Sequence, residues 1–261
     1  MDKLDRILVI PLGLVVLFVA GVLAALVSQV SGPELFSALR SSETMFALRL
    51  SFACSVGAVF VASLLGIPAA YFLARRDFRG KGAVDTLLDV PLVMPPLVAG
   101  VGLLFLLGRG MLGRPLAEFG IYLVLSPWGA VVAQTFVAVP IVIRSSKAAF
   151  ESVDRGYEAT AMTLGLSAWK VFLKINLPLA GRNIVSGIIL AWARALGEFG
   201  ATLMVAGATR FHTETLPIAV YLNISSGQLG TAVSCALVLV GTAFLLLLAL
   251  RLVRRNGHAG I

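Results

Sequence analysis

The sequence predicts an all-α integral membrane protein with six transmembrane helices. The chain has 261 residues, of which 59% are hydrophobic and only 13% are charged, and its mean hydropathy is +0.96. In soluble domains about a quarter of the residues are charged. A soluble domain of this length could not bury so much apolar surface in its own core. Lipid must therefore cover much of the chain, and the length suits one membrane domain over residues 1–261.

Six stretches are long and apolar enough, or nearly so, to cross a hydrocarbon core of about 30 Å as a helix of roughly 20 residues. The first is too long for the apolar core of a cleaved signal peptide, so we expect it to stay as a peripheral first helix. The other five form the core of the domain, over residues 50–250. In chain order the predicted spans are residues 7–30, 50–74, 84–107, 128–147, 183–208 and 229–250.

The third predicted span contains Pro91, Pro95 and Pro96, and each proline removes a backbone donor from a helix. One interpretation is a kinked central helix, packed away from lipid so that neighbouring groups satisfy the freed carbonyls. The other is an interfacial turn at the prolines, followed by a shorter span. The sequence does not favour either interpretation over the other.

Most of the 21 Lys and Arg residues flank the spans on one side, which the positive-inside rule assigns to the cytoplasm. Both termini, the second loop and the fourth loop are predicted to lie on that side. The net charge of +8 is thus explained by membrane topology. We expect membrane lipid, and no nucleic acid, to contact the chain.

Metal and nucleotide chemistry have no support in the sequence. Cys54 and Cys235 each lie inside an apolar run, and His212 and His258 stand apart from any partner ligand, so we expect no metal site. The nearest approach to a P-loop, at residues 79–82, lacks the glycine spacing and the Ser or Thr that phosphate binding needs. The chain should therefore hold no cofactor of its own.

One cytoplasmic segment, residues 151–178, is predicted to form two short helices joined by a tight turn. Residues 151–164 are good helix material, and Gly165 can end that helix in the left-handed conformation. Ser167 can then cap a second, amphipathic helix, which Pro178 is expected to end. The composition alone would also suit an amphipathic element that rests on lipid head groups.

Particular residues of this segment are more informative than its composition. Glu158-Ala159-Thr160, Gly165, Ile175 and Leu177-Pro178 follow one another in that order. They resemble the EAA loop of the permeases of ATP-binding-cassette (ABC) importers, whose pattern is E-A-A, three residues, G, nine residues, I, one residue, L-P. Thr160 stands where the family often has Ala.

The resemblance implies that this segment couples the membrane domain to a separate ATPase subunit, which binds ATP and Mg²⁺. Its first helix would sit in a cleft of the ATPase and act as a lever, with Glu158 against basic groups of that subunit and Gly165 at the bend. The residues expected to dock are Gly156, Tyr157, Glu158, Ala159, Thr160, Met162, Thr163, Leu164, Gly165 and Leu166.

The fifth predicted span carries two charged residues, Arg194 and Glu198. Arg194 would lie about 16 Å from Asn183, near the middle of the membrane. The two charges are four residues apart, so they can pair on one helical face, to which Thr202 would add a hydroxyl. Charges at this depth usually face a hydrated pathway, and a salt bridge that only fixes helix packing is the alternative. Arg194, Glu198 and Thr202 are therefore the candidates for a translocation pathway that carries an anion.

Residues 193–202, ARALGEFGAT, resemble the signature of the oxyanion branch of ABC permeases, whose members transport molybdate, tungstate or sulfate. PLVMPPLVAG at residues 91–100 and the GRGMLG turn at residues 108–113 match that branch as well. Residues 199–202 favour molybdate or tungstate. A sulfate or thiosulfate permease is the alternative within the family, and a membrane protein without a transport function is a remote alternative.

This resemblance implies the type I ABC importer permease fold and a homodimer with the pathway between the protomers. It also implies two cytoplasmic ABC ATPase subunits, an extracytoplasmic oxyanion-binding protein, and a location in the cytoplasmic (inner) membrane of a prokaryote. ATP binding would draw the coupling loops together and open the path outward, and hydrolysis would reset it. The chain itself would not be an enzyme.

Overall fold

The structure is a computed structural model that describes residues 3–108 and 111–255. Over these residues the chain forms helices and no strand, as the sequence predicts. A π-helical turn, Phe172–Asn176, joins α9 to α10. The helices are α1 (Lys3–Ser28), α2 (Gly32–Arg40), α3 (Ser42–Arg75), α4 (Lys81–Val93), α5 (Pro96–Leu107), α6 (Gly113–Glu118), α7 (Pro127–Glu151), α8 (Arg155–Thr163), α9 (Ala168–Val171), α10 (Leu177–Leu196), α11 (Gly200–Ala206), α12 (Leu216–Ser225) and α13 (Leu229–Arg255).

Five continuous helical stretches among the described residues are long and apolar enough to cross a membrane. A sixth crossing requires α4 and α5 together, and these two helices are bent by 113° at the break between them. Counted in this way, the number of spans agrees with the six that the sequence predicts. The five stretches are Leu8–Ser28, Ser42–Arg75, Pro127–Glu151, Ala168–Leu196 and Leu229–Leu252.

The predicted third span, residues 84–107, is not a single helix. α4 ends at Val93, Met94 and Pro95 are extended, and α5 begins at Pro96. A proline at the first position of a helix needs no amide donor, which explains why α5 starts there. Because α4 buries none of its residues while α5 buries four, the structure favours a turn followed by a shorter span over a kinked central helix.

The centre of the bundle consists of α3, α7 and α10, which pack against one another. Ala62 of α3, Ala138 of α7 and Ala191 of α10 are fully buried in one cluster. A Cβ on Gly187 would lie only 2.2 Å from the Cβ of Ser145, so α10 approaches α7 at a distance that requires glycine. Small residues at such contacts let membrane helices approach closely.

The predicted fifth span, residues 183–208, is broken in the structure. α10 begins at Leu177 and ends at Leu196, and the short α11 starts after a break at residues 197–199. α11 packs on α5, where a Cβ on Gly100 would lie 2.9 Å from the Cα of Ala201. Residues 200–206 therefore do not continue α10, as the predicted span requires, but form a separate short helix whose backbone packs closely against α5.

α1 lies at the periphery of the chain, with none of its span buried, and it contacts α13. Three positions that the sequence analysis considers fall outside the described residues. They are Arg109 and Gly110 of the GRGMLG turn, and His258.

Candidate functional site

The candidate coupling segment begins with a capped turn. α7 runs to Glu151, and α8 starts only at Arg155. Asp154 lies between them with extended backbone, and its Oδ1 accepts a 2.9 Å hydrogen bond from the amide of Gly156. A carboxylate at this position satisfies a free amide of the first turn and interacts favourably with the helix dipole. The helix predicted over residues 151–164 is therefore wrong as one element, because this cap separates two helices.

Gly165 ends α8 in the left-handed conformation, as the sequence predicts, with a φ of 84°. Its amide donates to the carbonyl of Met162 at 2.9 Å, and the amide of Leu166 donates to the carbonyl of Ala161 at 3.1 Å. These two hydrogen bonds form a Schellman motif, which satisfies carbonyls that the helix end would leave free. The turn between the two predicted helices is thus fixed by its backbone.

The second helix does not end at Pro178, as the sequence analysis expects. Ser167 occupies the cap position of α9, but its side chain makes no capping hydrogen bond. From α9 the chain stays helical through the π-helical turn into α10, in which Pro178 occupies the first turn. Because a first-turn proline needs no amide donor, Pro178 is compatible with this continuous helix. The second helix of the candidate coupling segment is therefore continuous with the following span, whereas α8 is separated from both by the turn at Gly165.

The register of the EAA pattern needs a correction of one residue. Four residues separate Thr160 from Gly165, where the pattern has three. Counted back from Gly165, the glutamate position of the pattern falls on Ala159, and Glu158 precedes it. One residue turns an α-helix by about 100°, so Glu158 lies on a different face from the one predicted.

Glu158 faces the protein and pairs with Arg75, the last residue of α3. The Nε of Arg75 lies 2.5 Å from Oε1 of Glu158, and the two side chains are only 7% and 14% exposed. The N–H at Nε does not satisfy hydrogen-bond geometry toward this oxygen, so the contact is an ion pair alone. The carboxylate of Glu158 is thus engaged within the chain, which argues against its predicted contact with basic groups of another subunit.

Arg75 connects three parts of the coupling segment, and the sequence analysis missed this role. Besides Glu158, its Nη2 donates to the carbonyl of Val153 at 2.9 Å and lies 3.5 Å from Oδ1 of Asn176. Asn176 is fully buried and donates to the hydroxyl of Tyr71 at 3.1 Å. No sequence signal distinguishes Arg75 from the other basic residues that flank the spans.

Much of α8 and its turn is open to solvent. Tyr157 and Leu164 are 59% and 76% exposed and lie away from Glu158, whereas Met162, which is 46% exposed, lies one turn after Glu158 on the same side of the helix. Ala161 is the buried residue of α8. Eight of the ten residues predicted to dock are exposed, and Glu158 and Leu166 are half-buried; the exposed ones are Gly156, Tyr157, Ala159, Thr160, Met162, Thr163, Leu164 and Gly165.

Arg194 and Glu198 form the ion pair that the sequence predicts, with 2.6 Å between Nη1 of Arg194 and Oε2 of Glu198. The other oxygen of Glu198 accepts a 2.9 Å hydrogen bond from the amide of Ala201, in the first turn of α11. The Glu198 side chain is 1% exposed, whereas that of Arg194 is 40% exposed. Glu198 therefore links two helices across the break, and Arg194 presents part of its guanidinium outward.

Thr202 does not share the face of Arg194 and Glu198, because the helix is interrupted between Glu198 and Thr202. The residue is fully buried, and its Oγ1 has no hydrogen-bond partner in the structure. Arg194 lies 17 residues after Leu177, where α10 begins, which is about 25 Å along the helix.

A second polar cluster lies at the end of the bundle opposite the coupling segment. Glu43, in the first turn of α3, pairs with Arg210 at 3.0 Å and accepts a 3.0 Å hydrogen bond from Nδ2 of Asn223. Glu214, in the loop before α12, is fully buried and accepts a 3.1 Å hydrogen bond from the amide of Phe211. Burial and the neighbouring carboxyl of Glu43 raise the pKa of Glu214. No motif in the sequence marks this cluster, in which Glu43 is far along the chain from the other members.

No group of three or more His, Cys, Asp or Glu side chains that could hold a metal ion is found in the described part of the chain. Cys54 and Cys235 are buried and unpaired.

Comparisons with known proteins identify the family. Residues 62–257 match the family described as binding-protein-dependent transport system inner membrane component. The chain belongs to this family. The permease is also 37% identical over 233 residues to a protein of Mycobacterium tuberculosis named molybdenum transport system permease protein ModB, with 88% of both chains covered.

Two further relatives come from distant organisms. The permease is 41% identical over 193 residues to the Escherichia coli K12 molybdenum transport system permease protein ModB, covering 72% of this chain and 84% of the relative. It is 42% identical over 160 residues to the molybdate/tungstate transport system permease protein WtpB of Thermococcus kodakarensis. That match covers 61% of this chain and 60% of the relative.

Solved structures support the fold. A chain of a bacterial alginate ABC transporter, in complex with a periplasmic protein bound to alginate pentasaccharide, aligns with a TM-score of 0.78 and 15% identity. That alignment covers 97% of this chain and 94% of the other. A chain of the MetNI methionine ABC transporter aligns with a TM-score of 0.64 and 17% identity, covering 86% and 98%. The permease is thus a multi-pass membrane protein with the fold of ABC transporter permease subunits.

Proposed function

We propose that this permease is the membrane subunit of an ATP-driven importer of molybdate or tungstate. The observation that carries the proposal is the 37–42% identity to relatives named for molybdenum, molybdate or tungstate transport. None of the relatives described above is named for sulfate, which leaves the sulfate or thiosulfate alternative with less support. As a permease subunit the chain is not an enzyme, and ATP and Mg²⁺ belong to a separate ATPase.

The proposed docking element is the exposed face of α8 and its Schellman turn. Tyr157 and Leu164 offer an apolar surface that suits a cleft in a partner protein, because aromatic side chains are enriched at protein interfaces. The Arg75–Glu158 pair then has a different role from the one expected of Glu158. It holds α8 to the end of α3, so that a movement imposed on α8 is passed to a membrane helix.

The proposed pathway residue is Arg194. Its guanidinium is partly exposed while its partner Glu198 is buried, so one side of the cation is accessible to an oxyanion. Glu198 is assigned a positioning role, because it holds both Arg194 and the first turn of α11. Thr202 is assigned to packing, since it is fully buried.

The proposed assembly is a homodimer with two ATPase subunits and an extracytoplasmic oxyanion-binding protein. The family description, which includes dependence on a binding protein, supports partners of this kind. The stoichiometry rests on the resemblance to ABC importers. Closure of the ATPases on ATP would draw the two α8 helices together and open the pathway outward, and hydrolysis would reset it.

Uptake by the reconstituted transporter tests the proposal. The permease is placed in proteoliposomes with its ATPase and binding protein, and ATP-dependent accumulation of radiolabelled molybdate and tungstate is measured. We expect uptake of either anion that an excess of unlabelled sulfate does not displace. Uptake of sulfate in preference to both would replace the proposal with the alternative. Absence of ATP-dependent uptake of all three anions, from a complex whose ATPase is active, would contradict it.

A further inference from the structure

A cavity of about 490 Å³ lies between the end of α3 and the helices of the coupling segment. Its walls include Pro68 and Phe72 of α3, Met162 of α8 and Trp169 of α9. The cavity is mostly apolar, but three arginines also line it: Arg75, Arg76 and Arg155. This combination of apolar walls and cations is not accounted for by the coupling role described above.

Two of the three arginines have no anionic partner within the described residues. Arg75 is engaged by Glu158. Asp77, in the loop after α3, pairs with Lys81 at 2.9 Å, and the pKa of the aspartate is lowered first by this hydrogen bond and less by the nearby charge of Arg155. Arg76 and Arg155 make no hydrogen bond or ion pair in the described part of the chain, and both are exposed. Three arginines and one glutamate line the cavity, so its walls carry more positive than negative charge.

The cavity is continuous with an exposed apolar stripe on α3. Residues four apart are neighbours on a helix surface, and because each such step turns by about 40°, a series of them winds by nearly half a turn around α3 toward the cavity. All its members are exposed, and the last two line the cavity; they are Val56, Phe60, Leu64, Pro68 and Phe72. In a membrane, an exposed apolar stripe of this length is suited to contact with acyl chains, which the stripe would guide to the arginines.

We propose that this cavity binds an anionic phospholipid of the leaflet that faces the coupling segment. The phosphate of the head group pairs with Arg76 and Arg155, and one acyl chain lies along Phe72 and the stripe on α3. Trp169 is 64% exposed at the mouth, and tryptophan favours the level of the head groups. Basic pockets between membrane helices on the cytoplasmic side are a recurrent form of lipid-binding site. A bound lipid also contacts Met162 and so supports α8 from below.

Quenching of tryptophan fluorescence by brominated lipid tests this proposal on the complete transporter in nanodiscs. Brominated phosphatidylglycerol and brominated phosphatidylcholine are compared at equal low mole fractions. We expect stronger quenching by the anionic lipid, and we expect this excess to disappear in Trp169→Phe. The doubly substituted Arg76→Ala/Arg155→Ala should need about 30-fold more anionic lipid for the same quenching, because two head-group contacts are lost.

The matched control is Arg79→Ala/Lys170→Ala. It removes the same amount of charge from the same end of the helix bundle, at residues that do not line the cavity. It should quench like the unaltered protein. Equal quenching by the two lipids, or equal loss of the excess in the control, would overturn the proposal in favour of general lipid contact. Loss of the excess on adding inorganic phosphate would instead indicate a small-anion site. Protection of Trp169 from both lipids would indicate a protein partner over the cavity, and would also overturn the proposal.

Discussion

The Nε of Arg75 lies 2.5 Å from Oε1 of Glu158, and this pair ties the end of a membrane helix to the first turn of α8. Both side chains are almost fully buried, so the pair is shielded from solvent. The relationship changes what a substitution at Glu158 reports. A loss of coupling in Glu158→Lys could come from a lost contact with the ATPase or from repulsion by Arg75.

A charge swap separates these two explanations. Removing one partner of a buried ion pair costs about 3–5 kcal/mol. We expect Glu158→Lys to lose stimulation of the ATPase, and we expect Arg75→Glu/Glu158→Arg to regain part of it because the pair is restored. ATP hydrolysis by the reconstituted complex is the measurement, with Arg79→Glu as the control. Because Arg75 also donates to Val153, Arg75→Glu is measured alone as well. If Arg75→Glu keeps stimulation while the swap variant is no better than Glu158→Lys, direct contact between Glu158 and the ATPase is supported.

Gly165 tests the turn that ends α8. A side chain at a φ of 84° costs about 1–2 kcal/mol, although a Cβ at this position would meet open space. We therefore expect Gly165→Ala to keep the protein folded but to weaken the copurification of the ATPase. Gly181→Ala is the control, since Gly181 is helical and also has room for a Cβ. If both variants retain the ATPase equally, the turn has no part in docking.

Arg194 requires a double substitution, because Glu198 is buried beside it. Arg194→Ala alone leaves a buried carboxylate without its partner, which costs about 1–3 kcal/mol, and the 40% exposure of Arg194 favours the lower part of this range. Arg194→Ala/Glu198→Gln removes that cost while keeping an acceptor for the amide of Ala201. We expect the double variant to bind the ATPase normally and to lose most molybdate uptake. Normal uptake would assign the pair to helix packing alone.

Because Glu214 is buried, we expect the stability of the folded protein to depend on pH. The pKa of Glu214 is raised chiefly by burial, so the protonated form is favoured in the folded chain. The stabilisation is complete below the unfolded pKa of about 4.3 and is lost as the pH rises through the folded value. We expect Glu214→Gln to be more stable than the unaltered protein at pH 8 and to show a smaller fall in melting temperature between pH 5 and pH 8.

Thermal unfolding in detergent across this pH range measures the effect of Glu214. The control is Glu118→Gln, an exposed glutamate of α6, which should follow the unaltered protein. An identical pH profile in Glu214→Gln would mean that Glu214 is not the group that titrates.

The sequence by itself determined the features that depend on composition or on neighbouring residues. Apolar length predicted the membrane helices, because burial in lipid requires it whatever the tertiary packing. The left-handed turn at Gly165 and the pairing of Arg194 with Glu198 were also predicted correctly, since both depend on residues a few positions apart.

Only the tertiary structure decided the relationships between distant residues. Glu158 meets Arg75 across a long stretch of chain, and no local rule identifies that partner among many similar arginines. The break before α11 likewise depends on the packing of α11 against α5, which removes Thr202 from the face of Arg194. Local hydrogen bonding and hydropathy fix which segments are helical, whereas a pair such as Arg75 and Glu158 forms only when packing brings distant segments together.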